Sequence, residues 1–104
     1  MIYLKILSYL LIMNFILSQD TKSLQGKIID SKSKEPLIGA NVIVKGTIQG
    51  SATNVDGEFF ISDLSQSMVS LQVSYIGYKT KTSADIELKE GLNSEIVIEL
   101  DADV

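Results

Sequence analysis

Hydrophobic and polar residues alternate in short runs along most of this chain after the first twenty residues. Residues 69–75 carry Val, Leu, Val and Tyr on one face and Ser, Gln and Ser on the other, and residues 40–45 and 58–62 alternate similarly. A period of two predicts β-strands with one face packed and one face in water. The pattern predicts about seven short strands and no helix after the N-terminal segment. Strands are expected at residues 24–30, 40–45, 51–53, 58–62, 69–75, 78–82 and 94–100, with a further short one at 85–88.

Turn-forming residues separate these runs at intervals of roughly 8–12 residues, which favours an antiparallel sandwich or barrel. The strongest turn is Asn54-Val-Asp-Gly57, because Asp-Gly suits the positive-φ positions of tight hairpins. Further turns are expected at Gly46–Gly50, at Gly77 and at Glu90–Asn93. The inward-facing positions predict a core of Leu24, Ile28, Val42, Val44, Phe59, Ile61, Leu71, Val73, Ile96 and Ile98.

The N-terminus has a different pattern, with a short, weakly basic start and an apolar run over residues 6–17. A small residue, Ser18, follows this run. The layout is typical of a secretory signal peptide, and the run is too short for the roughly 20 residues of a membrane-spanning helix. The alternative is an uncleaved N-terminal anchor. The predicted organisation is a signal peptide (1–18), a short leader (19–23), a β-sandwich (24–100) and an acidic tail (101–104), the last expected to be flexible.

Composition narrows the function further. The chain has no Cys, which excludes disulfides, thiolate metal sites and a lipid-modified Cys, and it has no His. Its formal net charge is -4 and its nine basic residues are all Lys. Nucleic-acid binding is not expected, because phosphate contacts need concentrated positive charge.

Four consecutive stretches carry a resemblance to a known family. They are Gly26-Lys-Ile-Ile-Asp30, Glu35-Pro-Leu-Ile-Gly-Ala-Asn-Val-Ile-Val-Lys-Gly-Thr47, Gly50-Ser-Ala-Thr-Asn-Val-Asp-Gly-Glu-Phe59 and Leu71-Gln-Val-Ser-Tyr-Ile-Gly-Tyr78. In order and spacing they resemble the carboxypeptidase regulatory-like domain. The resemblance implies an all-β fold, a transthyretin-like, seven-stranded antiparallel β-sandwich. One departure is Asn54, where the family more often has Asp; both residues suit a turn.

The resemblance also implies a setting. With a signal peptide, such a module often precedes the plug and barrel of a TonB-dependent outer-membrane receptor, particularly the glycan-importing type of Bacteroidetes. The Glu99-Leu-Asp-Ala-Asp-Val104 end is similar to the acidic segment before a TonB box in such receptors. The expected partners are a receptor plug and barrel, or another outer-membrane or periplasmic protein. The expected location is the periplasm or outer membrane, or alternatively outside the cell.

Catalysis is not expected, and no cofactor is expected. A zinc carboxypeptidase needs His and Glu ligands, and Ser/His/Asp or Cys/His catalysis needs a His, which this chain lacks. Ser31-Lys-Ser-Lys34 matches a Ser-x-x-Lys pattern, but it lies in a polar loop before Pro36, whereas a catalytic Ser of this kind opens a helix in a cleft.

Two weaker binding hypotheses remain from the sequence. Asn54, Asp56 and Glu58 resemble half of an oxygen-rich calcium loop, although a plain hairpin turn explains them as well. Tyr75 and Tyr78 flank Gly77 and could stack on a sugar, or could instead cover one end of the core with their hydroxyls on backbone partners.

Two functions from different classes follow. The first is a non-catalytic accessory or interaction domain of a TonB-dependent receptor, or a fragment of one, acting as a spacer or offering an edge strand to a partner. The second is a stand-alone secreted module that binds a carbohydrate or a peptide.

Overall fold

The computed structural model describes residues 21–104, and within them the fold is entirely β with no helix. The predicted signal peptide and the start of the leader lie outside the described residues. No helix in the described part has the length and apolar character needed to cross a membrane. The strands are β1 (Lys22–Asp30), β2 (Asn41–Val44), β3 (Gly50–Ala52), β4 (Glu58–Leu64), β5 (Met68–Val69), β6 (Leu71–Ser74), β7 (Lys81–Thr82), β8 (Ile86–Glu87) and β9 (Gly91–Leu100).

Two larger sheets form the sandwich. One has the strand order β4-β1-β9 and the other β3-β2-β6-β7, while β5 and β8 form a separate two-stranded ladder. The predicted all-β sandwich is confirmed, and its two larger sheets contain the seven strands expected. In the β5–β8 ladder, β8 is the further short strand expected at residues 85–88, and β5 overlaps the start of the run expected at residues 69–75.

One pairing departs from the expected antiparallel arrangement. β1 and β9, the first and last described strands, run parallel, from Lys22 opposite Gly91 to Asp30 opposite Leu100. All the other strand pairings are antiparallel. The local alternation of residues is the same in both arrangements, so the sequence pattern could not reveal this direction.

β9 also begins earlier than expected. The turn predicted over residues 90–93 is confined to its start, where Gly91 has φ of 84°, and the strand then continues to Leu100. A bulge in β9 interrupts the register between β9 and β1, opposite the segment between Leu24 and Gly26. Glu95 lies in this bulge and has φ of 68°. A bulge places extra residues on one strand and bends it locally.

The expected strand over residues 69–75 is divided in the structure. Met68–Val69 pairs with β8, whereas Leu71–Ser74 pairs with β2 and β7. Between them, the Ser70 carbonyl accepts the N–H of Lys45 (2.9 Å). Val69 and Leu71 are both buried, so the alternation continues although the chain changes its pairing partner.

The core matches the sequence prediction closely. Every predicted core residue is buried except Ile96, which is partly buried and packs against the others. The residues that complete the cluster are Leu37, Ala40, Leu64, Val69, Leu88 and Leu100.

The acidic segment after β9 does not extend freely from the sandwich, contrary to the expected flexible tail. The N–H of Lys79 donates to the Asp101 carbonyl (2.9 Å), and the N–H of Asp103 donates to the Gly77 carbonyl (2.9 Å). Tyr78 and Ala102 form an antiparallel bridge between them. These bonds attach the end of the chain to the turn before β7.

Candidate functional site

The Asn54–Gly57 turn is held by the side chain of its first residue. Asn54 Oδ1 accepts the N–H groups of Asp56 (3.0 Å) and Glu58 (2.9 Å). The Asn54 carbonyl accepts the N–H of Gly57 (2.9 Å). This is the local bonding that favours Asn or Asp at turns.

Gly57 packs this turn directly onto β1. The N–H of Ile28 donates to the Gly57 carbonyl (2.8 Å), and Gly57 has φ of 75°. A Cβ atom on Gly57 would lie 2.7 Å from the Ile28 carbonyl oxygen and 2.8 Å from Pro36 Cβ. Both the backbone conformation and the space therefore require glycine.

The calcium hypothesis gains no support from this geometry. The amide oxygen of Asn54 already accepts two backbone N–H groups. Residues 21–104 contain no group of three or more acidic, His or Cys side chains arranged to hold a metal. The hairpin turn accounts for Asn54, while Asp56 and Glu58 line a groove next to it.

This groove lies on the outer face of the β4-β1-β9 sheet, beside the bulge in β9. On β1, Leu24 and Ile28 face the core, so Gln25 and Lys27 lie on the opposite, outer face. The groove has a volume of about 580 Å³. Its lining residues are Gln25, Gly26, Lys27, Asp56, Glu58, Leu92, Ser94, Glu95, Ile96 and Val97. The sequence analysis missed this site, because a bulge leaves no clear signal in an alternating pattern.

The two tyrosines meet at the other candidate site. Their ring centroids lie 5.4 Å apart with the planes tilted by 60°, and both rings pack against the core. The turn between them closes with the N–H of Tyr78 on the Tyr75 carbonyl (3.1 Å), and Gly77 has φ of 85°.

Tyr78 is held by Asp30, a residue that the sequence analysis did not single out. The Tyr78 hydroxyl donates to Asp30 Oδ2 (2.7 Å), and Asp30 Oδ1 accepts the N–H groups of Lys32 and Ser33 (2.8 Å each). The Ser33 N–H, then the Tyr78 hydroxyl and the Lys32 N–H, lower the pKa of Asp30 from 3.8 to about 2. The same carboxylate raises the pKa of Tyr78.

The two tyrosines have different surroundings in the structure. Tyr75 lines a second groove, of about 390 Å³, with Gly39, Asn41, Ser74 and Ile76. Tyr78 does not line this groove, and its hydroxyl bonds to Asp30. The prediction of ligand contact therefore rests on Tyr75, and it stays a prediction.

The Ser31-x-x-Lys34 pattern does not form a pair of interacting side chains. Ser31 Oγ donates to Asp101 Oδ1 (2.6 Å), whereas Lys34 Nζ donates to Glu99 Oε1 (2.6 Å). Each side chain therefore has a different carboxylate partner. Both bonds connect the loop after β1 to the end of β9 or the segment that follows it.

Known structures share this fold at low sequence identity. Two mutants of a type II cohesin–X-dockerin complex from Acetivibrio cellulolyticus each superpose with a TM-score of 0.62, at 18% and 20% identity. The matches cover 72% and 77% of this chain and 51% and 57% of the matched chains. At such identity they show likeness of fold alone.

Sequence relatives are more specific. TonB-dependent receptor P3 of Formosa agariphila is 30% identical over 95 residues, and TonB-dependent receptor SusC of Bacteroides thetaiotaomicron is 34% identical over 77 residues. These matches cover 91% and 74% of this chain but only 9% and 7% of the relatives. TonB-dependent receptor P26 of Formosa agariphila is 37% identical over 84 residues, which are 78% of this chain and 8% of that protein.

The family comparison covers most of the β-sandwich and the segment after it. The model of the CarboxypepD_reg-like domain matches residues 24–104. Its match includes the Asn54 turn, both tyrosines and the segment that bonds to Gly77. The resemblance expected from the four sequence stretches is confirmed, and the chain belongs to the CarboxypepD_reg-like domain family.

Proposed function

We propose that this chain is a non-catalytic accessory domain of a TonB-dependent receptor, located on the periplasmic side of the outer membrane. The observation that carries the proposal is the set of relatives: three TonB-dependent receptors match 74–91% of this chain with 7–9% of their own length. A domain of this size would act beside a receptor's plug and barrel, as a spacer or a docking surface.

The absence of catalysis is part of the proposal and rests on chemistry. The chain has neither His nor Cys, so it lacks the usual general base and thiol nucleophile. In the one Ser-x-x-Lys match, Ser31 and Lys34 hydrogen-bond to two different carboxylates and not to each other. The candidate polar residues Asn54 and Asp30 hold turns and loops through backbone N–H groups.

The proposal is tested by locating the chain in cells of its source. An antibody raised against residues 24–104 is applied to separated envelope and soluble fractions, and each reactive band is identified by mass spectrometry. The expected result is an outer-membrane band of receptor size that contains peptides of this chain. A small reactive species found only in the culture medium would refute the receptor assignment.

The alternative, a stand-alone carbohydrate- or peptide-binding module, rests on the groove beside Tyr75. It predicts saturable binding of a glycan that is abolished by Tyr75→Ala. Tyr78→Phe is the matched control, since Tyr78 does not line that groove. Absence of glycan binding at millimolar concentration would remove the carbohydrate form of this alternative.

A further inference from the structure

The most extended unpaired strand edge in the described chain belongs to β9. This strand has ten residues, and the only strand it pairs with in the described part is β1. The opposite edge of the same sheet, β4, is partly covered because Gln49 Nε2 donates to the Asp63 carbonyl (3.1 Å). The edges of the other large sheet, β3 and β7, have three and two residues.

The backbone bonds at the two ends of β9 show which groups face away from β1. The N–H of Gly91 donates to the Thr21 carbonyl (3.1 Å), and the Leu100 carbonyl accepts the N–H of Ser31 (3.0 Å). Both contacts are on the β1 side. The Glu99 carbonyl instead accepts Lys81 Nζ (2.9 Å), which places it on the other side.

Alternation along a strand extends this assignment inward from both ends. Because the Glu99 carbonyl faces the free edge, the N–H and carbonyl of Val97, two residues earlier, face it too. Because Gly91 faces β1, the N–H and carbonyl groups of Leu92 and Ser94 face the free edge, as far as the bulge. The end of β9 near Glu99 is closed by Lys81, so the edge available for pairing is Leu92–Val97.

The side chains around this edge are suited to an extended segment with two different faces. Leu92 and Val97 are 56% and 57% exposed and stand on the outer face, at the groove. Ile96, on the inner face, is partly buried at the margin of the core. A strand added here would place apolar residues beside Ile96 on one face and its other residues beside Leu92, Val97 and Glu95 on the outer face.

Charge determines what the groove side would accept. Of the groove carboxylates, Glu95 lies on β9, at the free edge, whereas Asp56 and Glu58 lie beyond β1 on the β4 side of the sheet. Within residues 21–104, the ion pairs are Lys22 with Glu90 and Lys34 with Glu99, so Glu95 has none. The outer residues of an added strand should therefore be Lys or Arg.

A second copy of the chain does not fit this chemistry. Two β9 strands paired antiparallel through this edge would bring the two Glu95 carboxylates close together. Like charges across a strand pair are destabilising. Glu95 thus disfavours self-pairing, whereas a basic segment would bring the opposite charge to it.

We propose that the Leu92–Val97 edge of β9 binds an extended segment of a partner protein in which apolar and basic residues alternate, by adding it as a further strand. The inference rests on the proposed role as an interaction domain, and it assigns a surface and a partner chemistry to that role. Main-chain bonds would supply affinity and the Glu95 carboxylate would supply selectivity.

The first test is a titration of the purified, ¹⁵N-labelled full chain with a capped six-residue peptide of alternating Lys and Val, followed by NMR. Saturable shifts are expected at the amides of Leu92, Ser94 and Val97. A peptide of alternating Glu and Val should give none. Equal binding of the acidic peptide, or shifts confined to other strands, would overturn the proposal.

Variants test the edge itself. Val97→Pro removes an outward N–H, and peptide binding should weaken roughly two- to tenfold, the usual worth of one hydrogen bond. Ala52→Pro is the matched control, because the bond from the N–H of Thr53 to the Ala40 carbonyl places the Ala52 N–H on the outward side of β3. Binding by Val97→Pro equal to that of the unsubstituted chain would contradict the proposal.

Two charge-reversal variants test Glu95 without removing a backbone N–H. Glu95→Lys should reduce binding of the basic peptide, whereas Glu87→Lys, with the same change of net charge at the exposed position of β8, should leave it unchanged. Equal losses in both variants would indicate general electrostatics and refute the role of Glu95. Because these measurements use the isolated chain, their failure is distinct from failure of the cell-fractionation experiment.

Discussion

At the scale of single residues, polar side chains hold this domain together by bonding to backbone groups. Asn54 could be assigned from sequence because its partners lie within four positions. Asp30 and Thr53 could not, since Tyr78 is 48 positions from Asp30, and Leu37 and Ala40 are 16 and 13 positions from Thr53. A local pattern contains no information about such distant partners.

Asp30 should contribute to acid stability. Its pKa in the folded chain is about 2 against an ordinary 3.8, so its bonds stabilise the fold above pH 3.8 and this contribution is lost as the pH falls toward about 2. Asp30→Asn should be less stable than the unsubstituted chain at neutral pH, and the difference should shrink over this interval. Urea midpoints measured between pH 2 and 7 test it.

Tyr78→Phe is the companion variant for Asp30. It removes one of the donors to the carboxylate and keeps the ring, so the pKa of Asp30 should rise from about 2 toward 3.8. NMR titration of the carboxyl carbon measures the pKa directly. An unchanged pKa would show that the donors of Lys32 and Ser33 account for the whole shift.

The hydroxyl of Thr53 should stabilise the folded domain. This buried group donates to the Leu37 carbonyl and accepts the N–H of Ala40 (2.8 Å). Thr53→Val keeps the shape but leaves both backbone groups without a partner, and it should lower the free energy of unfolding by about 1–3 kcal/mol.

Thr53→Ser is the control, because it keeps the hydroxyl and removes only a methyl group. Denaturant unfolding of both variants measures the difference. Equal destabilisation by Val and Ser would mean that packing, and not the hydroxyl, is the important property of Thr53.

At the scale of elements, β1 is the centre of its sheet, and its close contacts depend on Gly26. A Cβ atom at Gly26 would lie 2.6 Å from the Ile96 carbonyl oxygen and 2.6 Å from Phe59 Cζ. One contact is with the backbone of β9 and the other with a buried ring of β4. Glycine at this position therefore sets how closely β1 approaches both neighbours.

Gly26→Ala should destabilise the domain by about 1–3 kcal/mol, the usual cost of overpacking. The adjacent change Lys27→Ala, on the exposed face, should stay within about 0.5 kcal/mol. Thermal or urea unfolding distinguishes them. A Gly26→Ala variant as stable as Lys27→Ala would show that the strands separate at little cost.

The elements also show where sequence patterns stop being informative. Alternation correctly predicted the inward face of each run, including both parts of residues 69–75. It did not predict the change of partner at Ser70 or the bulge at Glu95, because both are fixed by hydrogen bonds to other strands. The groove beside Glu95 was missed for the same reason.

At the scale of the whole molecule, turn spacing and the absence of a helical pattern were enough for the fold class, and the four motif stretches were enough for the family. The parallel pairing of the first and last strands was not predictable from them. It joins segments about 70 positions apart, such as Lys22 and Gly91, and depends on how the sandwich closes.

This parallel pairing has a mechanical consequence. The chain enters β1 at Lys22, at one end of the ladder, and leaves β9 at Leu100, at the other end. Tension between the two ends of the domain pulls β1 and β9 in opposite directions along their length. All the hydrogen bonds of the ladder are then loaded together in shear.

Single-molecule pulling tests this geometry, and the absence of Cys allows handles at chosen positions. Handles at Thr21→Cys and Val104→Cys load the β1–β9 ladder in shear, together with the bonds of residues 101–103 to residues 77–79. Handles at Thr21→Cys and Ser65→Cys load the antiparallel β1–β4 pair from the end where Lys22 lies opposite Leu64, so its bonds open one after another. The first arrangement should need the higher force, and equal forces would refute the shear interpretation.

Resistance to force is governed by the rate of unfolding rather than by the equilibrium stability. A domain whose first and last described strands share one parallel ladder can therefore resist extension when it is pulled from its two ends, whatever its equilibrium stability. In that setting it would behave as a short, inextensible link.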